Sequence, residues 1–138
     1  METRISWEEY FCKIAKVTSE RSSDTRLQVG CVIVNNNRIV ACGYNGNMSG
    51  VDNNKKLLIN GSDVLKVHAE VNAITDCAKR GVCVDGAECY VTHHPCLNCY
   101  KVLVSSGISK VFYIDDYKND DTVTTLSKTV CVPVKKII

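Results

Sequence analysis

Along the first twenty residues, Trp7, Tyr10, Phe11, Ile14, Ala15 and Val17 recur at steps of three and four between polar neighbours, the period of a helix with one apolar face. Ser6 followed by Glu9 supplies a capping-box start, so a first helix is predicted from Ser6 to about Glu20. Residues 21–26 are polar. Beyond them, Val29–Val34 and Arg38–Gly43 are two β-rich runs around Asn35-Asn36-Asn37, the pattern of a hairpin. Residues 44–63 are rich in Asn and Gly with little periodicity and read as a long ordered loop, a feature that in a small domain tends to carry function.

Helical spacing returns at Val71, Ala73, Ile74, Cys77 and Ala78 and is closed by Arg80-Gly81. Residues 87–92 read as a buried strand. Pro95 then opens a third helix, with Leu97, Tyr100, Val102, Leu103 and Val104 as its apolar positions and Gly107 as its end. Val111–Ile114 is a further strand, Asp121–Lys128 a short helix and Val130–Val134 a last strand, which Pro133 places at a sheet edge. The order α-β-β-α-β-α-β-α-β argues for a mainly parallel or mixed sheet with helices on both faces, and the expected fold class is α/β in three layers around a five-stranded mixed sheet. No repeat or linker interrupts it, so the expectation is a single domain over residues 1–138.

Composition narrows the class without naming it. Seventeen basic and fifteen acidic side chains leave a net charge of +2, too small a bias to imply a polynucleotide partner by itself. The first ten residues carry Glu2, Arg4, Glu8 and Glu9 and no apolar run of a signal peptide, and no window approaches the roughly 20 apolar residues of a membrane span. A cytoplasmic protein with no membrane partner is expected. Nine cysteines, an odd number spread over the chain, then read as reduced thiols. Cys12, Cys31, Cys42, Cys77, Cys89 and Cys131 fall on apolar faces and are expected in the core, while Cys83 lies in a turn.

The chemistry concentrates in two short segments at helix starts, His68-Ala69-Glu70 and Pro95-Cys96-Leu97-Asn98-Cys99. Either alone is weak: a Cys-x-x-Cys is equally a redox pair or coincidence, and His-x-Glu is common. Together, with one helix, one turn and one strand between them, they allow His68, Cys96 and Cys99 to converge on one ion. A Cys2His set with no evident fourth protein ligand fits catalytic zinc, which keeps a position open for water, better than a closed structural site. Such an ion moves the pKa of its water from about 15.7 toward about 7. Glu70, two residues from His68, is then the expected proton carrier. Adjacent His93 and His94 diverge at a strand end and read as pocket lining or packing rather than further ligands.

This H-x-E…P-C-x-x-C arrangement is the signature of zinc nucleobase deaminases, and the chain resembles the cytidine deaminase superfamily. Arg21-Ser22-Ser23-Asp24, Gln28-Val29-Gly30, Gly43-Tyr44-Asn45-Gly46, Val67–Ile74, residues 92–96 and Asp116-Tyr117-Lys118 together resemble its deoxycytidylate (dCMP) deaminase branch. The resemblance implies hydrolysis of dCMP to dUMP and ammonia, supplying dUMP for dTTP synthesis. It further implies a homo-oligomer, often a hexamer, activated by dCTP with Mg²⁺ and inhibited by dTTP, and some relatives accept dCTP as substrate. Carried over by position, it makes His68, Cys96 and Cys99 zinc ligands and Glu70 the acid/base. Asn45, the Ala69 amide, Ser22, Tyr117 and Lys118 become substrate contacts, and Gly43, Tyr44 and Gly46 part of an effector site. After Gly46, Asn47-Met48-Ser49-Gly50 lacks the Pro and basic residue usual in the family. Two other functions remain open at this point: a tRNA or nucleobase deaminase of the same superfamily, which would want a basic groove, and a non-catalytic zinc-binding interaction domain, which would want a fourth ligand.

Overall fold

The structure, a computed structural model, describes residues 3–137. Its first helix, α1 (Trp7–Ser19), begins where Ser6 Oγ accepts the Glu9 amide at 3.1 Å. Strands β1 (Gly30–Asn35) and β2 (Arg38–Tyr44) form the expected hairpin. Its turn residues Asn36 and Asn37 both have left-handed backbone (φ 51° and 62°), which Asn tolerates better than most side chains. After residues 44–67 come α2 (Ala69–Arg80), β7 (Glu88–His93), α3 (Leu97–Ser105), β8 (Lys110–Asp115), α4 (Asp121–Val130) and β9 (Val134–Lys136). The five strands stand in the order β2-β1-β7-β8-β9. The β2-β1-β7 half is antiparallel and the β7-β8-β9 half parallel, so the sheet is mixed as predicted.

Alternation along the strands sorts the core into two layers. Cys31, Ile33, Cys89, Val91, Val111 and Tyr113 point to the face covered by α2 and α3 through Ala69, Ala73, Cys77 and Leu103. Val32, Val34, Tyr90 and Phe112 point to the other face, where Phe11 and Ala15 of α1 close on them. Helix α4 packs on α3 through Val123 and Tyr100. Two glycines set the spacing. A Cβ on Gly30 would collide with the Ala15 carbonyl of α1, and one on Gly43 with the Ala69 carbonyl and Ala73 amide of α2. The sheet therefore meets both helices at backbone distance, and α2 is seated by Gly43 at its first turn.

Several expectations need correction. The stretch 44–63 is not an unpatterned loop: β3 (Gly46–Asn47) pairs with β6 (Lys66–Val67), and β4 (Leu58–Ile59) with β5 (Ser62–Asp63). The second pair turns at Asn60-Gly61, both with positive φ, an Asn-Gly hairpin whose signal is plain in the sequence. Pro95 lies one residue before the cap of α3 rather than in its first turn, because Cys96 takes the cap. The last strand starts at Val134, not Val130: Val130 still belongs to α4 and Cys131 is its left-handed C-cap. It does form the sheet edge. Cys42 and Cys131 are exposed rather than in the core, Cys42 on the outward side of edge strand β2; Cys31, Cys77 and Cys89 are buried.

Candidate active site

Two helix starts meet at the carboxyl end of β7. His68 is the N-cap of α2, yet its ring makes no capping bond. It turns instead toward the start of α3, with Nδ1 3.3 Å from Cys99 Sγ and 3.6 Å from Cys96 Sγ. Cys96 is the N-cap of α3 and its sulfur accepts the Cys99 amide at 3.5 Å. The two cysteines are thus brought together by capping geometry, one at the cap and one in the first turn, with the positive end of the helix beneath both sulfurs. One nitrogen and two sulfurs, all within 4.8 Å of one another, form the only such three-residue group among the described residues. That donor set and spacing fit a zinc ion.

Electrostatics show how the cluster holds its protons. A hydrogen bond from Cys99, aided by His68 and the Cys99 amide, outweighs burial and brings the Cys96 thiol down to about 4. The same bond to Cys96, together with burial, pushes Cys99 well up. The hydrogen bond to Cys96 also raises His68. The pair thus favours the thiolate at Cys96, and a metal held by His68, Cys96 and Cys99 would take both sulfurs as thiolates with release of the Cys99 proton.

Glu70 lies in the first turn of α2 and is only 4% exposed. Burial is the main cause that pushes its carboxyl up to about 7, against the opposing pull of its own backbone amide. A carboxyl poised near neutrality can both take and return a proton. Ala69, fully buried beside it, presents an amide from the helix's first turn, where N–H groups have no intrahelical partner.

The other expected residues divide. Asn45 accepts the Val29 amide with Oδ1 at 2.9 Å and donates to the Leu27 carbonyl at 2.8 Å, bracing the segment before β1. Ser22, buried, donates to the Asn45 carbonyl at 2.8 Å and accepts the Asp24 amide at 3.1 Å. Both hold chain to chain. Tyr117 and Lys118 follow β8 and are exposed, the Lys118 ammonium 5.3 Å from the Tyr117 ring centre. Gly43, Tyr44 and Gly46 line a polar cleft of about 390 Å³ with Arg21, whose guanidinium lies 5.7 Å from the Tyr44 ring centre. Asn72, to which the sequence reading assigned no role, ties this cleft to the site: its amide donates to the Tyr44 carbonyl (2.8 Å) and to the Val67 carbonyl just before His68 (3.3 Å). Its position four residues after His68, on the same helical face, was the signal.

The family model for the cytidine and deoxycytidylate deaminase zinc-binding region matches residues 5–115. The chain belongs to that deaminase family. Among curated relatives of the deaminase, ComE operon protein 2 of Bacillus subtilis is 40% identical over 137 residues, spanning 97% of this chain and 72% of that protein. Mouse deoxycytidylate deaminase is 35% identical over 132 residues, 90% of this chain and 73% of that one. The crystal structure of the dCMP deaminase of cyanophage S-TIM5, in complex with dCMP and dUMP, superposes with a TM-score of 0.86 at 34% identity, covering 99% of this chain and all of that one. The deaminase thus has the three-layer architecture that its element order predicts, in the cytidine deaminase-like form that the resemblance implies. No helix among the described residues is long and apolar enough to cross a membrane.

Proposed function

We propose that residues 1–138 form a single catalytic domain that hydrolyses dCMP to dUMP and ammonia. The observation that carries this reading is a buried carboxyl, Glu70, in the first turn of the helix that His68 caps, two residues from a member of the His/Cys/Cys donor set. His68, Cys96 and Cys99 hold zinc, which when bound supplies the Lewis acidity that makes water a nucleophile near neutral pH. Glu70 does the proton work. It takes a proton from the attacking water and delivers it to the ring nitrogen beside the reacting carbon, then takes the second proton from the hydroxyl now on that carbon and gives it to the amine, which leaves as ammonia as the C–N bond breaks and the carbonyl forms. The Ala69 amide donates to the cytosine carbonyl and fixes the ring beneath Glu70. Asn45 contacts the substrate, Ser22 lies near its phosphate, and Tyr117 and Lys118 stand at the mouth of the site.

The reading extends to control. The cleft beside Gly43, Tyr44 and Gly46, with the Arg21 cation and a direct hydrogen-bond link through Asn72 to the residue before His68, is suited to dCTP with Mg²⁺ as activator and dTTP as inhibitor. The protein acts as a cytoplasmic homo-oligomer, a hexamer, and accepts dCTP as a second substrate. Glu70→Gln keeps the shape of the site and removes the proton carrier. Loss of dCMP turnover by at least about 10² to 10⁴, with zinc content by atomic absorption unchanged, is expected. Turnover at the wild-type rate would refute the mechanism. Comparing dCMP with dCTP, each with and without dTTP, tests the control.

A further inference from the structure

Thr92, at the end of β7, is 3% exposed, and its hydroxyl meets two groups. Its oxygen accepts the Gly30 amide at 3.1 Å and lies 2.7 Å from His93 Nδ1. A buried hydroxyl proton without an acceptor is costly, so with the Gly30 amide occupying a lone pair the hydroxyl donates to Nδ1. That leaves the imidazole's own proton on Nε2. Burial lowers the pKa of His93, against the pull of Asp115, which favours the neutral ring that this arrangement uses.

The ring so fixed stands at 79° to Tyr117, centroids 5.9 Å apart. This contact follows from topology. β7 and β8 are parallel, with His93 opposite Asp115, so both strands end at one rim, where open α/β sheets bind ligands. From that rim β7 runs on to Cys96, and β8 runs on to Tyr117 and Lys118. Tyr117 is otherwise 39% exposed, and Lys118 lies over its ring. The phenol hydroxyl and the ammonium of this exposed pair are both donors, the chemistry that a phosphate monoester accepts.

We propose that His93 is a positioning residue for the substrate phosphate: locked by Thr92 as the Nε2–H tautomer, it holds Tyr117, and through it Lys118, at the rim beside Cys96. The proposal rests on the deaminase reading above and adds a selection for nucleotide over nucleoside. Neither Thr92 nor His93 moves a proton in the reaction.

Thr92→Val removes the donor at nearly constant shape, and Thr92→Ser restores it. With Thr92→Val, KM for dCMP rises about fivefold, the worth of one neutral hydrogen bond, while kcat stays within about twofold. Inhibition by dUMP weakens by the same factor and inhibition by deoxyuridine does not change. Thr92→Ser behaves as wild type, and His93→Ala repeats the KM defect even where Thr92→Val fails to fold. In the wild type, long-range ¹H–¹⁵N correlation finds His93 protonated at Nε2. Protonation at Nδ1, equal weakening of dUMP and deoxyuridine, or a fall in kcat at constant KM overturns the proposal. A wild type that does not turn over dCMP removes the deaminase reading instead, and the tautomer measurement still decides the lock.

Discussion

Two pairs of cysteines lie close together in this molecule, and only one is suited to a metal. Cys31 and Cys89 face each other across β1 and β7 at 3.4 Å, both fully buried. The Cys89 hydrogen bond and burial push the Cys31 thiol well up, and among the described residues no nitrogen donates to either sulfur. Cys96 and Cys99 stand at a helix start with an imidazole within 3.6 Å and an opening to solvent at Cys96. Proximity of sulfurs is common to both pairs. What separates them is the helix's positive end, a ring nitrogen and a route for an ion, which suit one pair to a metal and leave the other as packing.

The sharpest break of this contrast is Cys99→Ala. With one sulfur gone the donor set falls to two, and we expect zinc content near zero by atomic absorption, with activity down by at least about 10². Gly43→Ala comes next. It forces a methyl group against the Ala69 carbonyl and Ala73 amide, so α2 and His68 must shift; about 1–3 kcal/mol of stability should be lost in a urea titration, with weaker zinc binding. Cys89→Ala tests the other pair. Zinc content should stay at the wild-type value while the loss of one buried sulfur costs about 1 kcal/mol; a variant lacking zinc would make Cys89 part of the site.

The smallest effect lies away from both pairs, at Asp24. Burial acts to raise its carboxyl, but the Arg26 and Leu27 amides outweigh it and hold the pKa below the ordinary value. Its contribution is therefore present above the unfolded-state pKa and is lost as pH falls through the lower, folded one. Asp24→Asn should flatten the acid limb of a stability–pH profile by no more than about 0.5 kcal/mol, since the group is largely solvated. A change near pH 7 larger than this would assign Asp24 another partner.

The clustering of His68, Cys96 and Cys99 was legible because each sits at a helix start whose sequence signature is local: His68 before an apolar stripe, Cys96 after Pro95. The hairpin at Asn36-Asn37 and the edge position of β9 were legible for the same reason. Asn45 and Ser22 were not, since their partners lie across loops: Asn45 bonds Leu27 and Val29, and Ser22 bonds a carbonyl 23 residues away. Resemblance marks such residues without saying what they touch. Exposure of Cys42 was hidden in a similar way, because an edge strand leaves part of one face uncovered and the alternation of residue types does not record which part. The Asn60-Gly61 turn was visible but short, its strands being two residues each.

The central place of β7 also fixes an order of assembly. Its neighbours are β1, more than fifty residues earlier, and β8, which follows α3. The β1–β2 hairpin closes locally, whereas β7 has to find a partner across a long stretch of chain, the slow kind of contact. Until it does, α2 and α3 have no common floor, and residues 68 and 96 diffuse independently. If all three side chains hold an ion, its capture waits on the finished sheet, and refolding followed by a metal-binding signal should lag refolding followed by helix content.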